Sequence, residues 1–484
     1  MKYTSRLEVR FELPSGLELR VFHVSGRERI SEPYFFDVEF VRADGGAAKP
    51  CELAEPGVLV FSRNGEDVRK IFGVVAELER RLVYGDHGPS FRARLCPRMN
   101  FLSLVQKQDV YMEQSVVDIF KSTLAMFGID GPDDVDFERF AAKYPARDFV
   151  VQYAESDLSF IRRLAEHVGI SFFFEHRRGS DRLVFTDANV GFRHHRKPTT
   201  LVVATERADE GGVVSLNAVE RMTSRQFVVS DYNYRTPDLE ISGASKAAFG
   251  TGGGVVAWGD HLKTPEEAAA LANIRAEESA AWQSVYRGTS QLVELASGTH
   301  YALEGAGVDG VRVLMAEVEH ELRQPLGLHG SEAEPARYEN TFVATDAARP
   351  FRPQRLTKKP VIAGLVTGII AGRVPGKDEI AAPIDEHGRY IVRFLFDTVA
   401  DGERMASRPV RMAQPSVGAD YGVQFPNHAG TEVLMAFVNG DPDRPIIVGA
   451  VHNALTPAHV TTESAVDNVI RTASGITMRF RDLA

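Results

Sequence analysis

Period-two alternation of apolar and polar positions dominates the first hundred residues. Leu7-Glu8-Val9-Arg10-Phe11-Glu12-Leu13 stops at a Pro14-Ser15-Gly16 turn, and residues 17–24 are again β-rich. Together these segments predict a hairpin. Residues 34–40, 58–61, 68–78 and 90–96 repeat the pattern, so this part is expected to form a distorted barrel. The period then changes. Val116, Val117, Phe120, Leu124 and Phe127 recur at helical spacing, with Ser115 as cap and Gly128 as stop. A second helix is predicted after Ser156 or Asp157, with an apolar stripe of Phe160, Ile161, Leu164 and Val168. Arg162, Arg163 and Glu166 fall mainly on its other face, Gly169 ends it, and a strand follows over 170–174.

Strand patterns resume at 183–186 and 227–229, and Gly250–Gly254 reads as a flexible loop. A phosphate-cradling loop would join a strand to a helix and end in Gly-Lys-Ser/Thr, and neither condition holds. Thr264-Pro265-Glu266-Glu267 is a capping box with proline at the first helical position, opening a helix to about Gln283 that carries Leu271, Ile274 and Trp282. Strands are predicted at 290–295, 301–303 and 311–318. A connector rich in proline and basic residues spans 338–360, then a strand pair at 361–374 and a loop at 380–384. Between Asp385 and Asn453, β-rich runs at 390–396, 432–438 and 446–451 are punctuated by turns at Gly388, 427–430 and 439–444. Short strands with tight turns predict a small closed barrel, because closure removes unpaired edges. Residues 454–467 are polar, and 468–482 alternate again. Two short terminal strands cannot bury their own apolar side chains and need identical neighbours.

Composition narrows the function classes. At 484 residues, two to four domains are expected. The net charge of −10 argues against a nucleic-acid or anionic-membrane surface as main partner. The N-terminal stretch has no apolar h-region, and no window reaches 18 predominantly apolar residues. Cys51 and Cys96 read as two buried thiols, with one disulfide as the alternative. Candidate chemistry is sparse. His194-His195 is the one adjacent histidine pair, and neither HExxH nor GxSxG occurs. Glu317, Glu319 and Glu321 alternate along one strand, which suits a solvated or ion-pairing face. Asp441 and Asp443 lie in a Gly-Asp-Pro-Asp-Arg-Pro turn, where a local hydrogen bond or a pairing with Arg444 explains them better than acid–base catalysis. The barrel's aromatics and arginines leave single-stranded nucleic-acid binding as a weaker alternative.

Two blocks carry a family resemblance. QYAESDLSFIRRLAEHVGI resembles the hub-like domain of the VgrG proteins, spike-tip proteins of type VI secretion systems related to contractile phage tail hubs and spikes. DEHGRYIVRFLFD with GDPDRPIIVGAVHN resembles their oligonucleotide-binding-fold (OB-fold) barrel. The matching positions are Gln152, Tyr153, Glu155, Asp157, Phe160, Arg163, Leu164 and Gly169 in the first block. In the second they are Gly388, Arg389, Gly440, Asp441, Pro442, Asp443, Arg444, Pro445, Gly449 and Asn453. The resemblance implies a mostly β chain, α+β in its hub-like part. That part, over 1–350, has two β-barrel-like subdomains with helices near 115–127, 157–168 and 265–283. A connector (351–380), an OB-fold collar (381–455) and the neck and first strands of a trimeric β-helix (456–484) follow. It implies a non-enzymatic homotrimer without cofactor or metal. The homotrimer caps and nucleates a hexameric, Hcp-like tube, touches baseplate proteins, carries a PAAR-type tip with effectors or adaptors, and binds no nucleic acid. It would assemble in the cytoplasm and leave without a Sec signal. Phe396 stands where the family has tryptophan, and the segment after Ala406 departs from the family pattern. The hub of a contractile phage tail, or a carrier of an enzymatic effector domain, are the alternative readings.

Overall fold

The alternation is realised as strands throughout a computed structural model that describes residues 7–81, 89–194, 199–203, 212–326, 336–372, 382–397 and 407–482. In chain order the first elements are β1 (Leu7–Glu12), β2 (Leu19–Arg29), β3 (Glu32–Arg42), β4 (Pro56–Arg63), β5 (Glu66–Arg81), β6 (Ser90–Cys96) and β7 (Gln106–Tyr111). Then come α1 (Val116–Ala125), β8 (Val135–Arg139), β9 (Val150–Ser156), α2 (Asp157–Val168), β10 (Ser171–Arg177) and β11 (Ser180–Thr186). The middle of the chain holds β12 (Arg193–His194), β13 (Thr200–Val202), β14 (Val213–Glu220), β15 (Ser224–Asp231), β16 (Ile241–Lys246), β17 (Gly252–Trp258) and α3 (Pro265–Gln283). After it come β18 (Ser284–Ser290), β19 (Thr299–Glu304), β20 (Arg312–Arg323), β21 (Arg337–Asp346), β22 (Val366–Ala371) and β23 (Ile391–Phe394). The last are β24 (Ser416–Gly418), β25 (Tyr421–Val423), β26 (Glu432–Phe437), β27 (Pro445–Ala450), β28 (Asp467–Arg471) and β29 (Thr477–Arg481). Two compact units result. Met1–Val105, Phe120–Tyr144 and Asp157–Lys358 make the first; Gln106–Ile119, Pro145–Ser156 and Lys359–Ala484 make the second.

The first unit is built on one hydrogen-bonded sheet in the order β1-β4-β5-β6-β3-β2-β20-β21-β18-β14, with β19 on β20 and β12 and β13 on β19. The expected hairpin does not form. β2 is taken on one edge by β3 and on the other by β20, so β1 pairs with β4, Leu7 opposite Arg63. Between β1 and β2 a side chain does the bridging: the Gln324 amide accepts from the Val9 N–H (3.1 Å) and donates to the Val21 carbonyl (3.1 Å). Apolar residues of the inner face, among them Phe36, Val38, Phe40, Leu59, Ile71, Leu95 and Val318, are buried, each worth about 1.5–3 kcal/mol. The other face carries charge. Glu317 lies 3.7 Å from Arg29 and Glu321 lies 2.9 Å from His23, while Glu319 stands opposite Arg27 in register. The acidic alternation is thus an ion-pairing face, as its spacing predicted.

Other differences have local causes. Residues 291–298 are not a strand, and side chains satisfy their carbonyls instead. Arg69 Nη1 donates to Val293 (2.8 Å) and Leu295 (2.6 Å), and Asn340 Nδ2 to Leu292 (2.8 Å). Gly252–Gly254 belong to β17, parallel to β15, so only the start of the glycine run is a turn. The expected strand pair at 361–374 is a single described strand, β22; residues 373–374 and 380–381 lie outside the described residues, as does His195. Cys51 and Cys96 are both free and buried, and burial pushes their thiols up to about 11 and about 12.

Helix signals read correctly. Ser115 and Asp118 exchange hydrogen bonds with each other's backbone N–H at the start of α1 (3.1 Å each way), and Thr264 Oγ1 accepts from the Glu267 N–H (3.2 Å) with Pro265 following. Alanines 268, 272, 276 and 280 let α3 approach β15 and β16 closely. A Cβ on Gly243 would sit 2.1 Å from the Ala269 nitrogen, so glycine there is a packing requirement. The polar face of α2 is not left to solvent, since Arg163 and Glu166 are both buried. Glu166 accepts the N–H groups of Leu356 (2.9 Å) and Thr357 (2.8 Å) and the Thr357 hydroxyl (2.8 Å). Glu166→Ala should therefore cost about 3 kcal/mol, because it removes three charge-assisted hydrogen bonds to a buried carboxylate. Urea denaturation, with hydrogen exchange at Leu356 and Thr357, measures it; Glu166→Gln should recover part of the loss.

Candidate functional site

The second unit is where the two recognisable blocks meet. Its sheet runs β23-β22-β26-β27. The segment 410–413 closes it: Val410 exchanges backbone bonds with Tyr390 beside β23 (2.8 and 2.9 Å), and Ile447 of β27 bonds Arg411 (2.9 Å) and Ala413 (2.8 Å). The result is a small closed barrel, as the turn spacing predicted. Tyr390, Val392, Phe394, Val433, Met435 and Ile447 fill it and are all fully buried. Val110, Phe149 and Val151, from β7, β9 and the residue before β9, join the same core. Phe149 lies 6.1 Å from Phe394, under the Arg408 guanidinium at 5.7 Å, and Tyr153 meets Phe396 edge-on at 5.5 Å.

The contact that holds β9 to the barrel is Asp443. Its carboxylate is buried, with Oδ1 accepting from the Val151 N–H (2.7 Å) and Oδ2 from Lys359 Nζ (2.8 Å). Its own N–H donates to Asp441 Oδ1 (2.9 Å), the local hydrogen bond predicted for this turn, and its carbonyl accepts from Arg408 (3.2 Å). Lys359 also reaches Asp441 at 2.6 Å, so one ammonium serves two carboxylates. Burial and the adjacent Asp443 charge push the Asp441 carboxyl up despite Lys359. Burial alone would lower Lys359, but the two aspartates outweigh it and raise it. Because 40% of the Lys359 side chain remains exposed, solvent screens part of this attraction.

Backbone conformation makes the turn possible. Asn439 and Gly440 are both left-handed (φ 58° and 70°), and a Cβ on Gly440 would come 2.5 Å from Val361 Cγ1. Pro442 and Pro445 fix φ on either side of Asp443. The Gly440 carbonyl in turn accepts from the Ile362 N–H (2.9 Å), tying the connector to the turn.

The remaining motif positions divide. Gln152 is buried, its Oε1 accepting from the Tyr111 hydroxyl (3.4 Å) and its Nε2 donating to the Glu155 carbonyl (3.2 Å). Glu155 is buried in β9 opposite Lys107, and Gly449 lies in β27. Gly388 (φ 69°) makes a turn in which Asp385 Oδ2 meets Arg389 Nε at 2.7 Å. Asn453 accepts from Leu455 and Thr456 and donates to Glu432 (2.9 Å), anchoring the barrel's exit. Asp157, Phe160, Arg163, Leu164 and Gly169 belong to the first unit, where Arg163 stacks on Phe160 at 4.9 Å and Gly169 (φ 75°) ends α2. The sequence reading missed Val151, Lys359 and Arg408. Lys359 alone carried a signal, the basic pair before Pro360; a backbone N–H carries none. Among the described residues no group of three or more His, Cys, Asp or Glu is placed to hold a metal, and the arrangement is a structural clasp.

Family comparison agrees with this architecture. The phage tail baseplate hub (GPD) model matches residues 27–326, and the type VI secretion system/phage-baseplate injector OB domain matches 380–452. The chain belongs to the phage tail baseplate hub family. Its hub match contains β10, β20 and α3, and its OB match contains the clasp turn. Type VI secretion system spike protein VgrG5 of Pseudomonas aeruginosa is 29% identical over 455 residues, 90% of this chain and 56% of that protein. VgrG4b of the same organism is 29% identical over 468 residues, 91% and 55%. Actin cross-linking toxin VgrG1 of Vibrio cholerae is 26% identical over 505 residues, covering 97% of this chain and 43% of the toxin. The hub protein thus spans just over half the length of the first two of these relatives. Among solved structures, the E. coli c3393 protein is a type VI secretion component described as similar to T4 phage tail proteins gp27 and gp5. It superposes with a TM-score of 0.66 at 25% identity, over 92% of this chain and 100% of that one. A Francisella PdpA–VgrG complex (TM-score 0.63, 9% identity, 99% and 76% covered) shares the fold.

Replacing Asp443 tests the clasp. Asp443→Ala should cost about 2–3 kcal/mol, since it removes a partly screened ion pair and leaves the Val151 N–H without its acceptor. Asp443→Asn keeps an acceptor and should cost less. Hydrogen exchange at Val151 alongside chemical denaturation measures both, and loss of Val151 protection in the alanine variant is the expected signature.

Proposed function

We propose that this hub protein is the central spike of a type VI secretion machine: a homotrimer that caps the hexameric Hcp-like tube, starts its polymerisation and carries effectors into a target cell. The observation that carries the reading is the co-occurrence, in one chain and in this order, of the hub match and the injector OB match. The terminal hairpin adds support. β28 and β29 pair only with each other among the described residues, and Ile470, Ile476, Met478 and Phe480 remain 47–72% exposed. A two-stranded ribbon with that surface is stable only when copies cover it. In this reading the division of the chain follows the family: hub over 1–350, connector, OB collar over 381–455, and the start of a trimeric shaft.

Partners follow from the same reading. The tube protein meets the hub part and baseplate proteins surround it, while a PAAR-type tip with effectors or adaptors sits beyond the shaft. The chain acts mechanically, binding no nucleic acid and catalysing nothing; toxin activity is named for one relative and describes that protein. Its passage from cytoplasm to target runs through the machine. No described helix is long and apolar enough to cross a membrane.

Light scattering of the purified chain should give about 160 kDa, three times 53.4 kDa. Ile470→Glu combined with Phe480→Glu should shift the population toward monomer without unfolding either unit. A monomer for the unmodified chain at micromolar concentration would overturn the spike reading.

A further inference from the structure

Two histidines of the first unit are buried among hydrogen-bond partners that suit a neutral ring. His320, on β20, is buried where β2 and β20 join. Its Nε2 lies 3.2 Å from Glu28 Oε2 and its Nδ1 lies 2.6 Å from the Tyr338 hydroxyl. Glu28 is ion-paired with Arg69, so its carboxylate accepts only; Nε2 therefore carries the hydrogen and Nδ1 accepts from Tyr338. The Tyr338 oxygen accepts in turn from Asn340 Nδ2 (3.0 Å). A proton on Nδ1 would turn the Tyr338 bond round and take away the acceptor of the tyrosine hydrogen. The groups facing His320 are Glu28 from β2, Arg69 from β5, Tyr338 and Asn340 from β21, and the Phe36 ring from β3 at 5.3 Å.

His176, on β10, solves a different problem. Phe72 of β5 lies where β6 has not yet begun to pair, and its backbone is satisfied by side chains. The Tyr34 hydroxyl donates to its carbonyl, and its N–H donates to His176 Nδ1 (3.1 Å). The ring packs between Tyr34 at 5.1 Å and Phe72 at 6.3 Å, and its buried Nε2 has no hydrogen-bond partner among the described residues. The charges it feels beyond these rings are those of Glu28, Arg69 and Arg193. A proton on Nδ1 would set donor against donor at Phe72.

We propose that His176 and His320 make the first unit acid-labile: they hold β10 on β5 and β2 on β20 at neutral pH and release them in mild acid. The one carboxylate within reach, Glu28, favours a protonated ring, but burial outweighs it. Burial opposes the Glu28 charge, but Arg69 and His320 hold it ionised well below the usual range, and Arg69 already neutralises it. Burial pushes His176 down to about 3 and lowers His320 as well, despite Glu28. The sign follows. An unfolded histidine takes up its proton near pH 6.5 and the folded rings do so at lower pH, His176 near 3, so the unfolded state binds more protons in the interval between. Stability is full above about pH 6.5 and falls as pH drops, before ordinary carboxylates near pH 4 begin to contribute.

The test uses the full chain. Hydrogen exchange of β2 and β20 amides and urea unfolding, followed from pH 7.5 to 4.5, should show the opening constant rising by up to about 100-fold per pH unit below pH 6, the mark of two protons taken up. In His320→Gln the amide can donate to Glu28 and accept from Tyr338, and the slope should fall to about 10-fold per unit. Histidine C2–H exchange, read by mass spectrometry on the native chain, needs no variant: His176 should stay neutral at pH 5.5, and the midpoint of His320 should fall below that of a reference histidine peptide. Stability independent of pH between 6.5 and 4.5, both rings titrating with the reference peptide, or a folded His320→Gln with unchanged slope would each overturn the proposal.

Discussion

The backbone ladder between β2 and β20 is what the first unit depends on. These strands are nearly 300 residues apart, yet they pair from His23 opposite Arg323 to Arg29 opposite Glu317. Without that ladder the N-terminal strands and the strands that follow α3 would be two sheets with open edges. With it they share one inner face, and the polar chain through Glu28, His320 and Tyr338 can be closed from both sides. A buried carboxylate is tolerated there only because Arg69, from β5, reaches it and uses its other donors on the carbonyls of 293 and 295. The same residue explains why those positions need not be a strand.

The second unit repeats the principle on a smaller scale. Asp443 is buried, and its hydrogen bonds reach different parts of the unit: β9, the connector, the turn itself and the residues leading into the segment that closes the barrel. The carboxylate thus fixes two segments and the backbone of the same residue two more. Its glycine and prolines set the backbone path that brings Asp443 inward.

Much of this was legible in the chain. Strand positions, the caps at Ser115 and Thr264, the stop at Gly169 and the closed barrel all follow from local patterns, because the forces involved act between near neighbours. Pairing was less legible. Alternation in residues 7–13 says that a strand exists but not that β2 will already be occupied on both edges. The site was half visible: Asp443 stood out by its turn chemistry, whereas its main partner is a main-chain N–H. Lys359 was visible as charge, but which carboxylates it would meet depends on the left-handed pair at Asn439 and Gly440. The pairing of Glu166 with the amides of 356 and 357 was hidden for the same reason.

The bond from Val151 to Asp443 spans 292 residues of sequence. On a ribosome adding about 5–20 residues per second, Asp443 is synthesised roughly 15 to 60 seconds after Val151. Until then Phe149 and Val151 have no core to enter, and the N–H of Val151 faces water. A chain interrupted before the barrel therefore displays an unfinished strand with apolar neighbours, the kind of surface that chaperones and proteases engage. The clasp therefore ties an early strand to a late turn: the Val151 N–H gains this acceptor only once Asp443 has been made.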